Sequence, residues 1–293
     1  RYAQNENVDR GDLRMQVIER GTSTPIDDAK ISISYSGDPD STVEEVNTDA
    51  SGMSETLTLD TPPLELSMQP SEVQPYAEYT IQVTAKGYRP INISGIEVFS
   101  GQLSLQEIRL DAEEATESMT DNIVIPAHTL FAEYPPKIAE AEIKPVTETG
   151  EIVLSRVVIP EYVIVHDGAP SDPTARDYYV RYRDYIKNVA SSEIYSTWPD
   201  ATIRANVLAI MSFTLNRVYT EWYRNKGYSF TITSSTAYDQ KFMYGRNIYQ
   251  SISDVVDEMF QNYLSRPNVR QPILTQYCDG QRVTCSNWLS QWG

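Results

Sequence analysis

Residues 185–199 read Tyr185-Ile186-Lys187-Asn188-Val189-Ala190-Ser191-Ser192-Glu193-Ile194-Tyr195-Ser196-Thr197-Trp198-Pro199, and around this stretch the apolar period of the chain changes from two to about four. Tyr185, Ile186, Val189 and Ala190 share one face of a short helix that Asp184 would cap and that ends near Glu193. A second helix is expected from Thr197, with Pro199 in its first turn and Asp200 at its positive dipole end, to Gly227. Ile203, Val207, Leu208, Ile210, Met211, Phe213, Leu215, Val218 and Trp222 cover more than one stripe of it, which predicts a helix buried on several sides. Downstream, Ile248, Ile252, Val255, Val256, Met259, Phe260 and Tyr263 predict a third helix over 248–265, before Pro267. Pro272 to Tyr277 reads as a strand.

Upstream the pattern is different. Leu13-Arg14-Met15-Gln16-Val17, Ala29-Lys30-Ile31-Ser32-Ile33 and Tyr79-Thr80-Ile81-Gln82-Val83 alternate apolar and polar side chains, the period of half-buried strands. Turn residues separate them, including Gly37-Asp38-Pro39, Asp49-Ala50-Ser51-Gly52, Pro62-Pro63 and Lys86-Gly87-Tyr88. The expected architecture is therefore multidomain: an N-terminal all-β sandwich over 1–111, an acidic linker and proline-rich connector over 112–160, and a C-terminal α+β domain with a central buried helix over 161–293. The stretch Asp111-Ala112-Glu113-Glu114-Ala115-Thr116-Glu117-Ser118 supplies the linker composition.

Charge divides along the same line. Residues 1–160 hold 28 acidic and 11 basic side chains and residues 161–293 hold 13 of each, so the net charge of −17 belongs to the first part. That balance argues against nucleic acid, whose phosphates need clustered Lys and Arg. No apolar run is long enough for a membrane span. The first residue is Arg1 rather than Met, which suits a processed or trimmed product. The two cysteines, Cys278 and Cys285, suit a small disulfide loop in an oxidising compartment, reduced thiols, or half of a metal site. The two histidines, His128 and His166, lie far from Ser191 and Ser192, so those hydroxyls read as caps rather than nucleophiles.

Two resemblances add to this reading. Thr24-Pro25-Ile26-Asp27-Asp28-Ala29, Thr48-Asp49-Ala50-Ser51-Gly52 and the run from Tyr79 to Tyr88 make the first part similar to the carboxypeptidase regulatory-like, or transthyretin-like, β-sandwich family. That likeness implies a non-catalytic accessory or adhesive module. The second part resembles the SpoIID/LytB family of sporulation and cell-wall proteins. The likeness is carried by Tyr185-Ile186-Lys187-Asn188-Val189-Ala190-Ser191-Ser192-Glu193, then Trp198-Pro199, Thr236-Ala237-Tyr238-Asp239-Gln240-Lys241-Phe242-Met243-Tyr244-Gly245, and Leu289-Ser290-Gln291-Trp292-Gly293.

The second resemblance implies a secreted or cell-envelope protein acting on peptidoglycan glycan strands. It would be a lytic transglycosylase with Glu193 as catalytic acid and base, or an amidase enhancer that grips glycan beside a cell-wall hydrolase or envelope protein. In a lytic transglycosylase one carboxyl protonates the glycosidic oxygen and then takes the proton of the sugar's own 6-hydroxyl, so no second carboxylate is needed. A carboxyl at a helix C-terminus meets the negative dipole end, which favours its protonated form. Tyr238, Asp239 and Gln240 are expected to line the glycan groove, with Gln276, Tyr277, Asp279, Ser290 and Gln291 as a second wall. The His and Cys of the family's central motif are replaced around Ala237 to Asp239, so no metal and no cofactor are expected. The family also continues past the Ser-Gln-aromatic-Gly element, which suggests a fragment. A structural subunit of a surface or phage-tail-like assembly is a further reading, compatible with the acidic first half.

Overall fold

The computed structural model describes residues 8–113, 120–141, 153–285 and 287–292. Within them the strands are β1 (Asp9–Glu19), β2 (Lys30–Tyr35), β3 (Asp38–Asn47), β4 (Leu57–Thr61), β5 (Ala77–Thr84), β6 (Ile91–Val98), β7 (Leu103–Leu110), β8 (Asp121–Val124), β9 (Tyr162–His166), β10 (Asp177–Arg181), β11 (Ile232–Thr233), β12 (Ile248–Tyr249), β13 (Tyr277–Cys278) and β14 (Leu289–Ser290). The helices are α1 (Tyr182–Glu193), α2 (Asp200–Tyr219) and α3 (Gln250–Met259). The protein is thus β-rich and multidomain. Its two compact units are Arg1–Ala127 with Tyr244–Ser251, and His128–Met243 with Ile252–Gly293.

The first unit is a sandwich of two sheets, ordered β12-β7-β1-β4 and β3-β2-β5-β6-β8. Alternation explains its core. In β1, Leu13, Met15 and Val17 are fully buried while the side chains between them are only half-buried, and Ile31 and Ile33 of β2 and Ile81 and Val83 of β5 pack with them in one cluster. Each such aliphatic side chain contributes roughly 1.5–3 kcal/mol when fully buried. The Tyr79 hydroxyl of β5 donates to the Asp60 carbonyl of β4 at 2.7 Å, a polar tie between the two sheets. The Thr48-to-Gly52 turn closes on itself: Asp49 Oδ1 accepts the N–H groups of Ser51 and Met53 at 2.8 and 3.0 Å. Gly52 sits at φ +70°, and a Cβ there would stand 2.4 Å from the Val17 carbonyl oxygen, so only glycine fits.

The unit division falls elsewhere than at 111 and 160. β8 pairs in parallel with β6, and Ile125 belongs to the sandwich core, so the chain completes this unit only at Ala127. Residues 244–251 then add β12 to the edge of β7 and a buried charge cluster. In it, Arg246 Nη2 and the Tyr249 hydroxyl both donate to Glu97 Oε2 at 3.0 Å, and Asn247 exchanges hydrogen bonds with the Glu97 backbone at 2.9 and 3.3 Å. Burial pushes the Glu97 carboxyl upward in pKa against the opposing pull of Arg246. Of the expected acidic linker, residues 114–119 lie outside the described residues, and so do residues 142–152.

In the second unit, β9 is flanked by antiparallel β10 and parallel β11, and β13 pairs in parallel with β14. Its helices differ from the expected bounds for local reasons. α1 begins at Tyr182 rather than Asp184. Pro199, not Thr197, holds the capping position of α2, where its carbonyl accepts the N–H groups of Thr202 and Ile203. α2 stops at Tyr219, eight residues before Gly227, because Glu221 adopts the left-handed φ of 47°, while the Thr220 hydroxyl bonds back to the Asn216 carbonyl in the last turn. Twelve of the 20 residues of α2 are buried, among them Asn206, Thr214, Asn216 and Arg217. α3 begins at Gln250 because Ile248 and Tyr249 are extended against β7. The run 272–277 forms a strand only at Tyr277. Among the described residues no helix is long and apolar enough to cross a membrane.

Candidate functional site

Glu193 is the last residue of α1, and its side chain folds inward, leaving the residue 4% exposed. Its Oε1 accepts the backbone N–H of Lys241 at 2.6 Å, and its Oε2 accepts the hydroxyl of Tyr277. The Tyr277 hydroxyl is itself oriented. Gln240 Oε1 accepts hydroxyls from Tyr185 and Thr214 at 3.1 and 2.8 Å, which turns its amide nitrogen toward the Ile210 carbonyl at 3.0 Å and Tyr277 Oη at 3.2 Å. The tyrosine oxygen therefore accepts from Gln240 and directs its proton at Glu193. Gln291 completes the setting by donating its amide to the Glu193 carbonyl at 3.0 Å, satisfying an acceptor at the helix end.

The carboxyl opens on a cavity of about 290 Å³ lined, among others, by Tyr134, Lys137, Tyr277, Asp279, Arg282 and Trp288. Burial holds the Glu193 carboxyl above the usual carboxylate range, opposed by Lys137, the Lys241 N–H and Tyr277. The cause is thus mainly desolvation within a protein wall. Burial likewise depresses the Lys137 ammonium, against the favourable charges of Glu193 and Asp239. Lys137 Nζ donates to the Asp239 carbonyl and lies 4.7 Å from the Phe213 ring centre and 5.2 Å from that of Tyr277.

A second set of charges is spent on structure. Arg217, fully buried in α2, donates Nε to Asp239 Oδ1 at 2.6 Å and its two terminal nitrogens to Glu140 at 3.0 and 2.6 Å. Asp239 Oδ2 also accepts the Tyr223 hydroxyl at 2.5 Å and the N–H and hydroxyl of Thr233 at 2.9 and 2.7 Å.

The residues singled out in the sequence therefore separate into two groups. Glu193, Tyr277, Asp279 and Gln291 meet at the cavity. Asp239 and Gln240 are fully buried and occupied by internal partners, and they bear on the cavity only through Lys137 and Tyr277. Tyr238 is half-buried with its carbonyl on Arg217, Gln276 exchanges two 2.9 Å hydrogen bonds with the Glu140 backbone, and Ser290 lies in β14; none of the three lines the cavity. Cys278 and Cys285 are joined by a disulfide with a Cα separation of 5.8 Å. Their loop forms one wall, and Arg282 within it donates to the carbonyls of Leu130, Phe131 and Ala132. Among the described residues no three His, Cys, Asp or Glu side chains gather as a metal site.

Lys137, Tyr134 and Trp288 were not foreseen. Lys137 falls in a proline-rich stretch that reads as a connector, and the sole signal was Pro135-Pro136 fixing the backbone just before a cation.

No family model matches the chain, and no curated protein matches it. The two resemblances therefore rest on the quoted residues. Solved structures give distant likenesses. A 3-chlorocatechol 1,2-dioxygenase from Rhodococcus opacus is 12% identical over 38% of this chain and 62% of its own, with a TM-score of 0.26. A 5-hydroxyisourate hydrolase from Klebsiella pneumoniae is 15% identical over 35% of this chain and 92% of its own, at 0.24. A putative membrane-associated protein of unknown function from Bacteroides fragilis is 14% identical over 50% of this chain and 36% of its own, at 0.20. The chain thus spans less than two thirds of the dioxygenase's length, and TM-scores of this size carry no argument about activity.

Proposed function

We propose that the second unit acts on the glycan strands of peptidoglycan and cleaves them by a lytic transglycosylase reaction with Glu193 as acid and base. The observation that carries this reading is a buried carboxyl, held above the usual carboxylate range by desolvation, on the wall of a cavity also lined by Tyr134, Tyr277 and Trp288. Aromatic faces suit sugar rings, and a carboxyl raised above the usual carboxylate range by burial suits a general acid. Glu193 gives its proton to the glycosidic oxygen as the bond from that oxygen to the anomeric carbon breaks. The carboxylate left behind takes the proton of the 6-hydroxyl, whose oxygen bonds to the anomeric carbon, and a 1,6-anhydro end results. The oriented Tyr277 hydroxyl steadies the carboxylate between these steps.

The finer assignments belong to the same proposal: a SpoIID-like second unit built around α2, a transthyretin-like sandwich serving as placement module, and a secreted or envelope location, which the disulfide suits.

A second reading, glycan binding without cleavage, is favoured by one fact: each Glu193 oxygen already accepts a hydrogen bond inside the protein. Incubating the protein with denuded peptidoglycan and searching for 1,6-anhydro ends by mass spectrometry separates the two. Release by the wild type but not by Glu193→Gln supports cleavage. Retention of glycan by both proteins without new ends moves the conclusion to binding, and neither retention nor release defeats both.

A further inference from the structure

The second unit places three carboxylates, Glu140, Glu193 and Asp239, around two buried or half-buried cations, Arg217 and Lys137. Two of the three meet a guanidinium directly. Asp239 faces four donors, and Glu140 meets the guanidinium of Arg217 with both oxygens. Among the described residues the Glu193 carboxyl accepts two hydrogen bonds, neither from a cationic group, and burial holds it above the usual carboxylate range. Lys137 is the cation closest in role to it. Its Nζ is anchored on the Asp239 carbonyl above the ring of Tyr277, the same ring whose hydroxyl binds Glu193, and both side chains line the cavity.

We propose that Lys137 is the positioning residue of this site, whose ammonium sets how readily Glu193 gives up and regains its proton. The role deepens the acid and base reading and rests on it for its catalytic consequence. Each time Glu193 releases its proton, a carboxylate appears in a wall that solvates it poorly, and the ammonium supplies the compensating charge.

The other groups that face Glu193 are committed elsewhere or more remote. Lys241 reaches it chiefly through the backbone N–H, and its ammonium lies 5.3 Å from the Tyr134 ring centre. Tyr185 points its hydroxyl at Gln240. Across the cavity, Asp279 accepts three backbone N–H groups of its own loop and Arg282 holds carbonyls of residues 130–132, while Glu133 lies on the exposed rim.

The test is a carboxyl and ammonium titration by NMR on the full chain. Lys137→Met should raise the Glu193 midpoint by about one pH unit or more, the size expected on loss of a nearby opposite charge, and Lys137→Arg should restore most of it. In turn, Glu193→Gln should lower the Lys137 midpoint, because the same charge pair favours both ionised forms. In glycan cleavage, Lys137→Met should slow formation of anhydro ends about tenfold and move the alkaline limb of the pH profile upward, because the weaker acid keeps its proton longer. Unchanged Glu193 titration in Lys137→Met, or an equal shift in Lys137→Arg, overturns the proposal. If the wild type forms no anhydro ends, the cleavage reading fails by itself, and the titrations still decide whether the two groups are coupled.

Discussion

Each unit buries a carboxylate beside a cation, and the two places could hardly be put to more different use. In the first unit Glu97 is fully buried and clasped directly by Arg246 and Tyr249 at 3.0 Å. In the second, Glu193 is held by a backbone N–H and a tyrosine, meets no cation directly, and opens on a cavity of about 290 Å³. Burial raises both carboxyls. What distinguishes the Glu97 clasp from the proposed acid is therefore a directly bonded cation on one side and a cavity wall on the other, with desolvation common to both.

The largest effects should come from breaking the clasps. Arg217→Met leaves Asp239 and Glu140 without their guanidinium, and Arg246→Met does the same to Glu97. Each should cost about 3–5 kcal/mol in chemical denaturation. The comparison breaks if either substitution is silent. A smaller loss, about 1–3 kcal/mol, is expected for Tyr277→Phe, which removes two buried hydrogen bonds, one donated to Glu193 and one accepted from Gln240. The same change should raise the Glu193 titration midpoint, and a midpoint left in place would show that the tyrosine is a spacer only.

The smallest effect, and the one with the most telling sign, belongs to Glu193→Gln. A carboxyl whose folded pKa exceeds its unfolded value contributes most stability below the unfolded value, and loses it as pH rises toward the folded one. The substitution should therefore flatten the stability curve above the ordinary carboxylate range, leaving the variant as stable as the wild type or more so at pH 7. Melting temperatures measured from pH 4 to 8 check this. A variant less stable across the whole range would place Glu193 with the structural clasps.

How much of this could be read from the sequence depends on how local the cause is. The alternation in 13–17, 31–33 and 79–83 is a property of neighbouring residues, and it places the sandwich strands β1, β2 and β5. The apolar faces of α1 and α2 are local in the same sense, although their ends are decided by Pro199, Thr220 and Glu221 rather than by the residues that best fit a capping pattern. The site is less legible. Glu193, Tyr277 and Gln291 come together at the cavity over nearly 100 residues of chain, and the spacing that picks them out cannot tell that Asp239 points into the protein. Nor could composition reveal Lys137, because a lysine after two prolines has the signature of a connector until Asp239 and Tyr277 are in place around it.

The return of residues 244–251 to the sandwich makes each unit discontinuous in sequence. A chain cut at Ala127 would leave the first unit without β12 and would strand Glu97 in the interior with neither Arg246 nor Tyr249. A second unit started at His128 would carry that strip of eight residues with nothing to pair it. Cutting and swapping these units, in the laboratory or by recombination, therefore calls for a permuted or interrupted gene segment, and simple head-to-tail shuffling would damage both.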